Sequence, residues 1–261
     1  MNSGIKKQKI QVGAVSYLNA LPLIEGFSDE KISTEIDLHL ETPAVLASKL
    51  QSGELDLALV PVAVLNQLPN AAIIGDYGIA SNGEVASVCI FSDAPIEEIE
   101  TLILDYQSRT SVMLAQILLK EFWKISPKIN NGTPGFEQNI SGKTAGLVIG
   151  DRALKQRKKS AYCYDLAKAW KEHTNLPFVF AIWVSNKSLP SSFIDTFNAA
   201  TSSGLNHLKS IADKINFPEY DIYTYYTKNI VYSINEEMKA GMSLYLEKIK
   251  EFQKAKSIIN D

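Results

Sequence analysis

The side chains able to bind or activate a small molecule fall in short clusters: Ser16-Tyr17-Leu18-Asn19, Val60-Pro61, Ser81 to Ser87, Ser108 to Ser111, and Gly150-Asp151. Hydroxyls, an amide and glycines dominate these clusters, and the only arginines in the 261 residues are Arg109, Arg152 and Arg157. An anion bound there would be held mainly by hydroxyls and by the free N–H groups of helix starts. A general base is missing. His39 falls on the polar face of a strand, His173 near a helix end and His207 in the last third of the chain. Asp151 is suited to be that base, or simply to cap the helix that follows it. Asn19 equally suits a strand–helix turn, Ser87 an ordinary strand position, and Thr110 or Ser111 a helix cap. Tyr17 and Trp183 fit either core or cleft, since large aromatics in apolar blocks usually pack.

These clusters must sit at the ends of regular elements. Ile10 to Val15 is a short apolar strand, and Leu18 to Phe27 carries apolar residues at helical spacing around Pro22. Glu35 to Leu40 alternates, which turns Ile36, Leu38 and Leu40 inward and Glu35, Asp37 and His39 to water. Thr42-Pro43 opens a helix to Ser52 that Gly53 closes, and Leu55 to Val60 is a buried strand. This strand–helix–strand crossover calls for parallel strands in one sheet. Val85 to Phe91 is a further strand, and the acidic stretch from Asp93 to Glu100 after it is the expected first hinge. Beyond it the pattern predicts a strand at 102–104, a helix over 110–122, a polar loop over 130–135, a strand over 145–149 and a helix over 164–174. A strand over 177–184 then returns across the hinge. The expected division is a first lobe of residues 1–92 completed by 184–261, with 93–183 as an inserted second lobe. Ile234, Met238, Met242, Tyr245, Ile249 and Phe252 recur along one face of a C-terminal helix that packs on its own domain.

Bulk properties exclude several classes. With 46% hydrophobic residues the chain can bury a sizeable core, and a net charge of −3 without a long basic run gives no footprint for nucleic acid. No apolar run approaches the roughly 20 residues that span a bilayer. The N-terminus lacks the pattern of a signal peptide, so a cytoplasmic location without a membrane partner is expected. Cys89 and Cys163 have no Cys/His spacing around them, and are read as buried, inert thiols rather than a disulfide or metal cage.

Ser16-Tyr17-Leu18-Asn19-Ala20-Leu21-Pro22-Leu23 resembles the opening signature of the menaquinone-biosynthesis chorismate dehydratases. Gly53 to Ala58, Ile79 to Ser81, Ser87-Val88, Ser108 to Ser111, Ile149 to Asp151 and Leu176 to Trp183 look like that family's successive blocks, together covering roughly residues 10 to 185. The resemblance implies an α/β, two-lobed periplasmic-binding-protein-like (type II) fold with a ligand cleft between the lobes. It further implies no metal or organic cofactor, and dehydration of chorismate to 3-[(1-carboxyvinyl)oxy]benzoate in the futalosine route. On this reading Asn19 and Ser87 are the catalytic residues, while Ser16, Tyr17, Thr110, Ser111, Gly150 and Asp151 bind the substrate. The proton is taken by the substrate's own enolpyruvyl carboxylate. The rivals are a 1,4-dihydroxy-6-naphthoate synthase-like enzyme, a non-catalytic binding protein for a small anion and, less well matched, a transcriptional effector domain. Oligomeric state is not legible.

Overall fold

The computed structural model describes residues 9–68 and 71–260, with side chains as far as residue 255. Met1 to Gln8, where an export signal was sought, lies outside the described residues. The strands in chain order are β1 (Ile10–Val15), β2 (Ile36–Glu41), β3 (Leu57–Pro61), β4 (Ala72–Ser81), β5 (Val88–Ser92), β6 (Thr101–Leu104), β7 (Lys128–Asn131), β8 (Thr144–Ile149), β9 (Tyr162–Asp165), β10 (Phe178–Ser185) and β11 (Val231–Ser233). They form two sheets, ordered β11-β4-β10-β3-β1-β2 and β7-β6-β8-β5-β9. The crossover is as expected: β1 pairs in parallel with both β2 and β3, around the helix Pro43–Ser52. Pro43 occupies its first turn and Gly53, at φ +80°, ends it in the left-handed region that glycine enters without strain.

The lobe boundaries need correction. β5 belongs to the second sheet rather than the first, and β10 lies in the first sheet, between β3 and β4. The first crossing is therefore the segment between β4 and β5, where Gly83 and Ala86 both take positive φ. Asp93 to Pro95 is a turn wholly inside the second lobe. The second crossing is the helix Leu166–Thr174 and the turn after it. Apolar runs such as those of β5 and β10 show that a strand is buried, but carry no mark of which sheet buries it.

Other departures have local causes. β4 has no readable alternation because Gly75, at φ +73°, and Gly78 interrupt it, and its pairing with β10 slips register. Leu38 and Leu40 are 37% and 50% exposed: β2 is an edge strand, and the cover over Ile36 stops short of them. Tyr164 and Asp165 end β9, so the helix expected from Tyr164 starts at Leu166, with Asp165 as its cap accepting from the N–H groups of Ala167 and Lys168.

Trp183 is fully buried in the first lobe, its ring 5.0 Å from that of Phe197. The C-terminal helix Glu236–Asn260 buries Met238, Met242, Tyr245 and Ile249, as its spacing predicts. Tyr245 packs edge-on against Phe178 and Trp170, with centroids at 4.8 and 6.0 Å. This seats the helix against the second crossing and stabilises the junction between lobes. Among the described residues no helix is long and apolar enough to cross a membrane.

Candidate active site

The cleft between the sheets forms where three strands end and the first half of a fourth passes. β1 leads into Tyr17 and Asn19, β3 ends at Pro61, β8 leads into Ile149 and Gly150, and β10 contributes Phe180 and Ala181. The first crossing adds Val85 and Ser87, and the start of the helix Arg109–Leu118 adds Ser108, Thr110 and Ser111. Together they line a narrow cavity of about 60 Å³ that opens to solvent between the two sheets. The lining holds no carboxylate, ammonium, guanidinium or imidazole group.

Ser87 and Asn19 have the most specific surroundings. The fully buried Tyr225 hydroxyl donates to Ser87 Oγ at 2.7 Å, leaving the Ser87 proton to point elsewhere. Burial pushes the Tyr225 phenol well above its usual range, so it remains a neutral donor. Asn19 Oδ1 is buried with no protein partner. A buried amide oxygen left in this state costs about 1–3 kcal/mol, which a bound donor can recover. One wall thus offers a hydroxyl donor beside an amide acceptor.

The backbone that carries Ser87 is strained. Ala86 sits at φ +64°, and the Ser87 N–H donates to Val85 O at 2.8 Å, closing a three-residue turn. A non-glycine residue in this region costs on the order of 1–3 kcal/mol and persists only where its surroundings hold it. Here Asp165 does so, accepting from the N–H groups of Val85 at 3.2 Å and Ala86 at 2.7 Å. Ser87 O in turn accepts from the Gly150 N–H at 2.7 Å, and Gly150 at φ +62° opens the helix Gly150–Gln156.

On the opposite wall Ser108 caps the helix Arg109–Leu118: its Oγ accepts the Ser111 N–H at 3.0 Å and lies 2.9 Å from Ser111 Oγ. Thr110 Oγ1 accepts the Ala63 N–H at 3.1 Å, and the Tyr245 hydroxyl donates to Thr110 O at 2.8 Å. Thr110 therefore joins the helix to the first lobe as well as facing the cleft.

Charge lies one layer back. The Tyr17 hydroxyl donates to Gln107 Oε1, which also accepts from Arg152; Arg152 is paired with Asp105 at 2.6 Å and Glu137 at 2.5 Å. Burial, and then the nearby Asp105 carboxylate, push Tyr17 up to about 12, so its hydroxyl stays protonated.

Of the residues expected from sequence, Tyr17, Asn19, Ser87, Thr110, Ser111 and Gly150 meet on the lining. Ser16 and Asp151 do not. Ser16 is exposed. Asp151 neither caps its helix nor enters the cleft lining; its Oδ1 accepts the Leu18 N–H at 3.3 Å, tying the second lobe to the first. Burial raises its pKa. Trp183 belongs to the core. None of the three histidines reaches the cleft: His39 bonds Gln11, His173 pairs with Glu121, and His207 bonds Ser203 O. Arg109 turns outward to Gln67. Sequence reasoning missed Tyr225, whose segment is remote from every cluster, and Asp165, which lay inside an expected helix. Cys163 also departs from expectation: it is exposed rather than buried, and strand pairing brings it beside Cys89. Among the described residues no group of His, Cys, Asp or Glu is arranged to hold a metal.

A family profile described as menaquinone biosynthesis matches residues 10–251. The chorismate dehydratase of Thermus thermophilus is 28% identical over 265 residues, covering 90% of this chain and 93% of that one. That of Campylobacter jejuni is 25% identical over 246 residues, covering 91% and 96%. In fold, the alkanesulfonate-binding protein SsuA from Xanthomonas axonopodis superposes with a TM-score of 0.65 at 11% identity, covering 93% of this chain and 94% of that one. The fold is thus the two-lobed periplasmic-binding-protein-like type expected from sequence, and the chain belongs to the menaquinone-biosynthesis family.

Proposed function

We propose that this protein is a chorismate dehydratase, a carbon–oxygen lyase that eliminates water from chorismate to give 3-[(1-carboxyvinyl)oxy]benzoate in the futalosine route, in the cytoplasm and without a cofactor. The observation that carries this reading is a family-matched, largely apolar cleft set with five side-chain hydroxyls and the Asn19 amide, yet lined by no carboxylate or imidazole to serve as a base. Chorismate supplies what the wall lacks. Its enolpyruvyl carboxylate, folded over the ring, takes the proton from the carbon that bears the ether. The neighbouring hydroxyl leaves, takes up the proton that the carboxylate removed to depart as water, and the ring becomes aromatic.

The protein then has to orient the substrate and stabilise charge as it develops. Negative charge at the deprotonated carbon delocalises into the ring carboxylate, where fixed donors lower the barrier. In this reading Thr110, Ser111 and the helix they open bind that carboxylate, a role supported by their position at a helix start on the lining. Ser87, accepting the hydrogen bond from Tyr225, keeps its own hydroxyl hydrogen to hydrogen-bond the departing hydroxyl, and the unpartnered Asn19 Oδ1 accepts from it. An uncharged lining also avoids setting a carboxylate against a dianionic substrate. The test is to incubate the purified protein with chorismate, following the loss of diene absorbance and the product mass. A product lighter by one water supports the reading; unchanged chorismate, with the protein folded, overturns it.

A further inference from the structure

A second cluster of reactive side chains lies behind the first crossing, outside the cleft. β5 and β9 pair antiparallel, with Cys89 opposite Asp165 and Phe91 opposite Cys163. Positions two apart on a strand share a face, so Cys89 and Cys163 are diagonal neighbours on one side of the sheet. Arg157 Nη1 lies 3.5 Å from Cys89 Sγ and 3.4 Å from Cys163 Sγ. Cys89 is buried, whereas Cys163 is exposed on the edge strand.

From this geometry we infer that Cys89 and Cys163 are an oxidation site, at which a hydroperoxide converts the dithiol to an intrachain disulfide that loosens the turn carrying Ser87. The two thiols have unequal parts. The neighbouring Cys89 thiol and the Arg157 charge lower the pKa of Cys163, while burial raises that of Cys89. Cys163 is therefore the attacking thiolate and Cys89 the resolving thiol. In the first step the Cys163 sulfur displaces hydroxide from hydrogen peroxide: the O–O bond breaks, an S–O bond forms, and the sulfur is oxidised by two electrons to a sulfenic acid. In the second, Cys89 sulfur attacks Cys163 sulfur; the S–S bond forms, the S–O bond breaks, and the Cys89 proton leaves with the hydroxyl as water. Among the described residues β9 has β5 as its only strand neighbour, which leaves it room for the shift a disulfide requires.

The site is wired to the cleft. Cys89 Sγ donates to Ala86 O at 3.4 Å, and Arg157 donates to the same carbonyl at 3.1 Å. Asp165, 3.7 Å from Cys89 Sγ, holds the Val85 and Ala86 N–H groups. Drawing Cys89 towards Cys163 removes one bond to the strained Ala86 and disturbs the residue that holds the turn.

Treatment of the whole protein with a small excess of hydrogen peroxide, followed by alkylation and intact mass measurement, tests this without reference to chorismate. The expected result is a monomer lighter by two hydrogens that takes up no alkylating label, with both thiols restored by dithiothreitol. In Cys89→Ser a sulfenic acid should accumulate at Cys163, trapped by dimedone, while Cys163→Ser should react at least tenfold more slowly than the parent. Two alkylatable thiols remaining after peroxide, a disulfide between chains, or equal reactivity of the two variants would overturn the inference. Sensitivity of the Ser87 turn is read separately, as a rise in amide hydrogen exchange at 85–88 on oxidation. Exchange unchanged there would remove the link to the cleft.

Discussion

The cleft wall and the layer behind it are made of opposite materials. The lining carries hydroxyls, an amide and backbone N–H groups but no ionised side chain, whereas directly behind Tyr17 stand Asp105, Arg152 and Glu137, and behind Ser87 stand Asp165, Arg157 and Glu84. Charge in this molecule stands behind the wall rather than on it. An ionised group on the wall would have to be desolvated against a dianion; one layer back it can be paired and hydrogen-bonded, and can fix neutral donors at set positions.

That contrast can be broken from either side, and removing the wall's own polar groups should do the most damage. Asn19→Leu and Ser87→Ala are each expected to lower kcat on chorismate by about 100-fold to 1,000-fold, as loss of an aligned transition-state partner does, with the fold unchanged by circular dichroism. A fall of less than fivefold in both would make them bystanders.

Breaking the layer behind should instead cost stability. Asp105 is fully buried at its side chain and Arg152 is its cation, so Arg152→Met strands a buried carboxylate and is expected to lower unfolding free energy by about 3 kcal/mol in urea titration. If activity per folded molecule fell as far as in Asn19→Leu, the two layers would not be separable.

Between these lies Tyr225, which touches the wall without being part of it. Tyr225→Phe removes a buried donor to Ser87 and should lower kcat about threefold to tenfold with little change in KM. A loss equal to that of Ser87→Ala would instead promote Tyr225 to the proton donor itself.

The smallest effect should be at Asp151. Its carboxyl accepts the Leu18 N–H, which an asparagine amide oxygen can also do, so Asp151→Asn should keep kcat within about tenfold. Its raised pKa also fixes a sign. The folded state holds that proton more tightly than the unfolded one, so the group's contribution favours folding at low pH and is lost as pH rises from the unfolded to the folded pKa. Asp151→Asn should therefore gain stability relative to the parent as pH climbs through and above the ordinary carboxylate range. A gain that appears only on acidification would contradict the burial argument.

The same two layers divide what could be read from sequence. The wall was largely legible, because Tyr17, Asn19, Thr110, Ser111 and Gly150 follow strands or open helices within single short clusters, and local patterning announces such junctions. The layer behind was not. Tyr225 reaches Ser87 across 138 positions and Asp105 meets Arg152 across 47, contacts that only the folded topology creates. The pairing of Cys89 with Cys163 was hidden for the same reason, and β4 because two glycines erased its alternation. The two-lobed fold was readable from the blocks, while the lobe boundaries were displaced because β5 and β10 are apolar runs of the same kind.

The central claim, that the wall supplies no base and the substrate brings its own, is tested most directly by the pH dependence of kcat on chorismate for the parent protein and Asp151→Asn. With no enzyme group titrating as the base, both profiles should be flat from about pH 5 to 9 and lie within about tenfold of each other. A limb of unit slope in that range that disappears in Asp151→Asn, together with a loss of about 100-fold or more while chorismate still binds, would place the base on the protein and contradict the account.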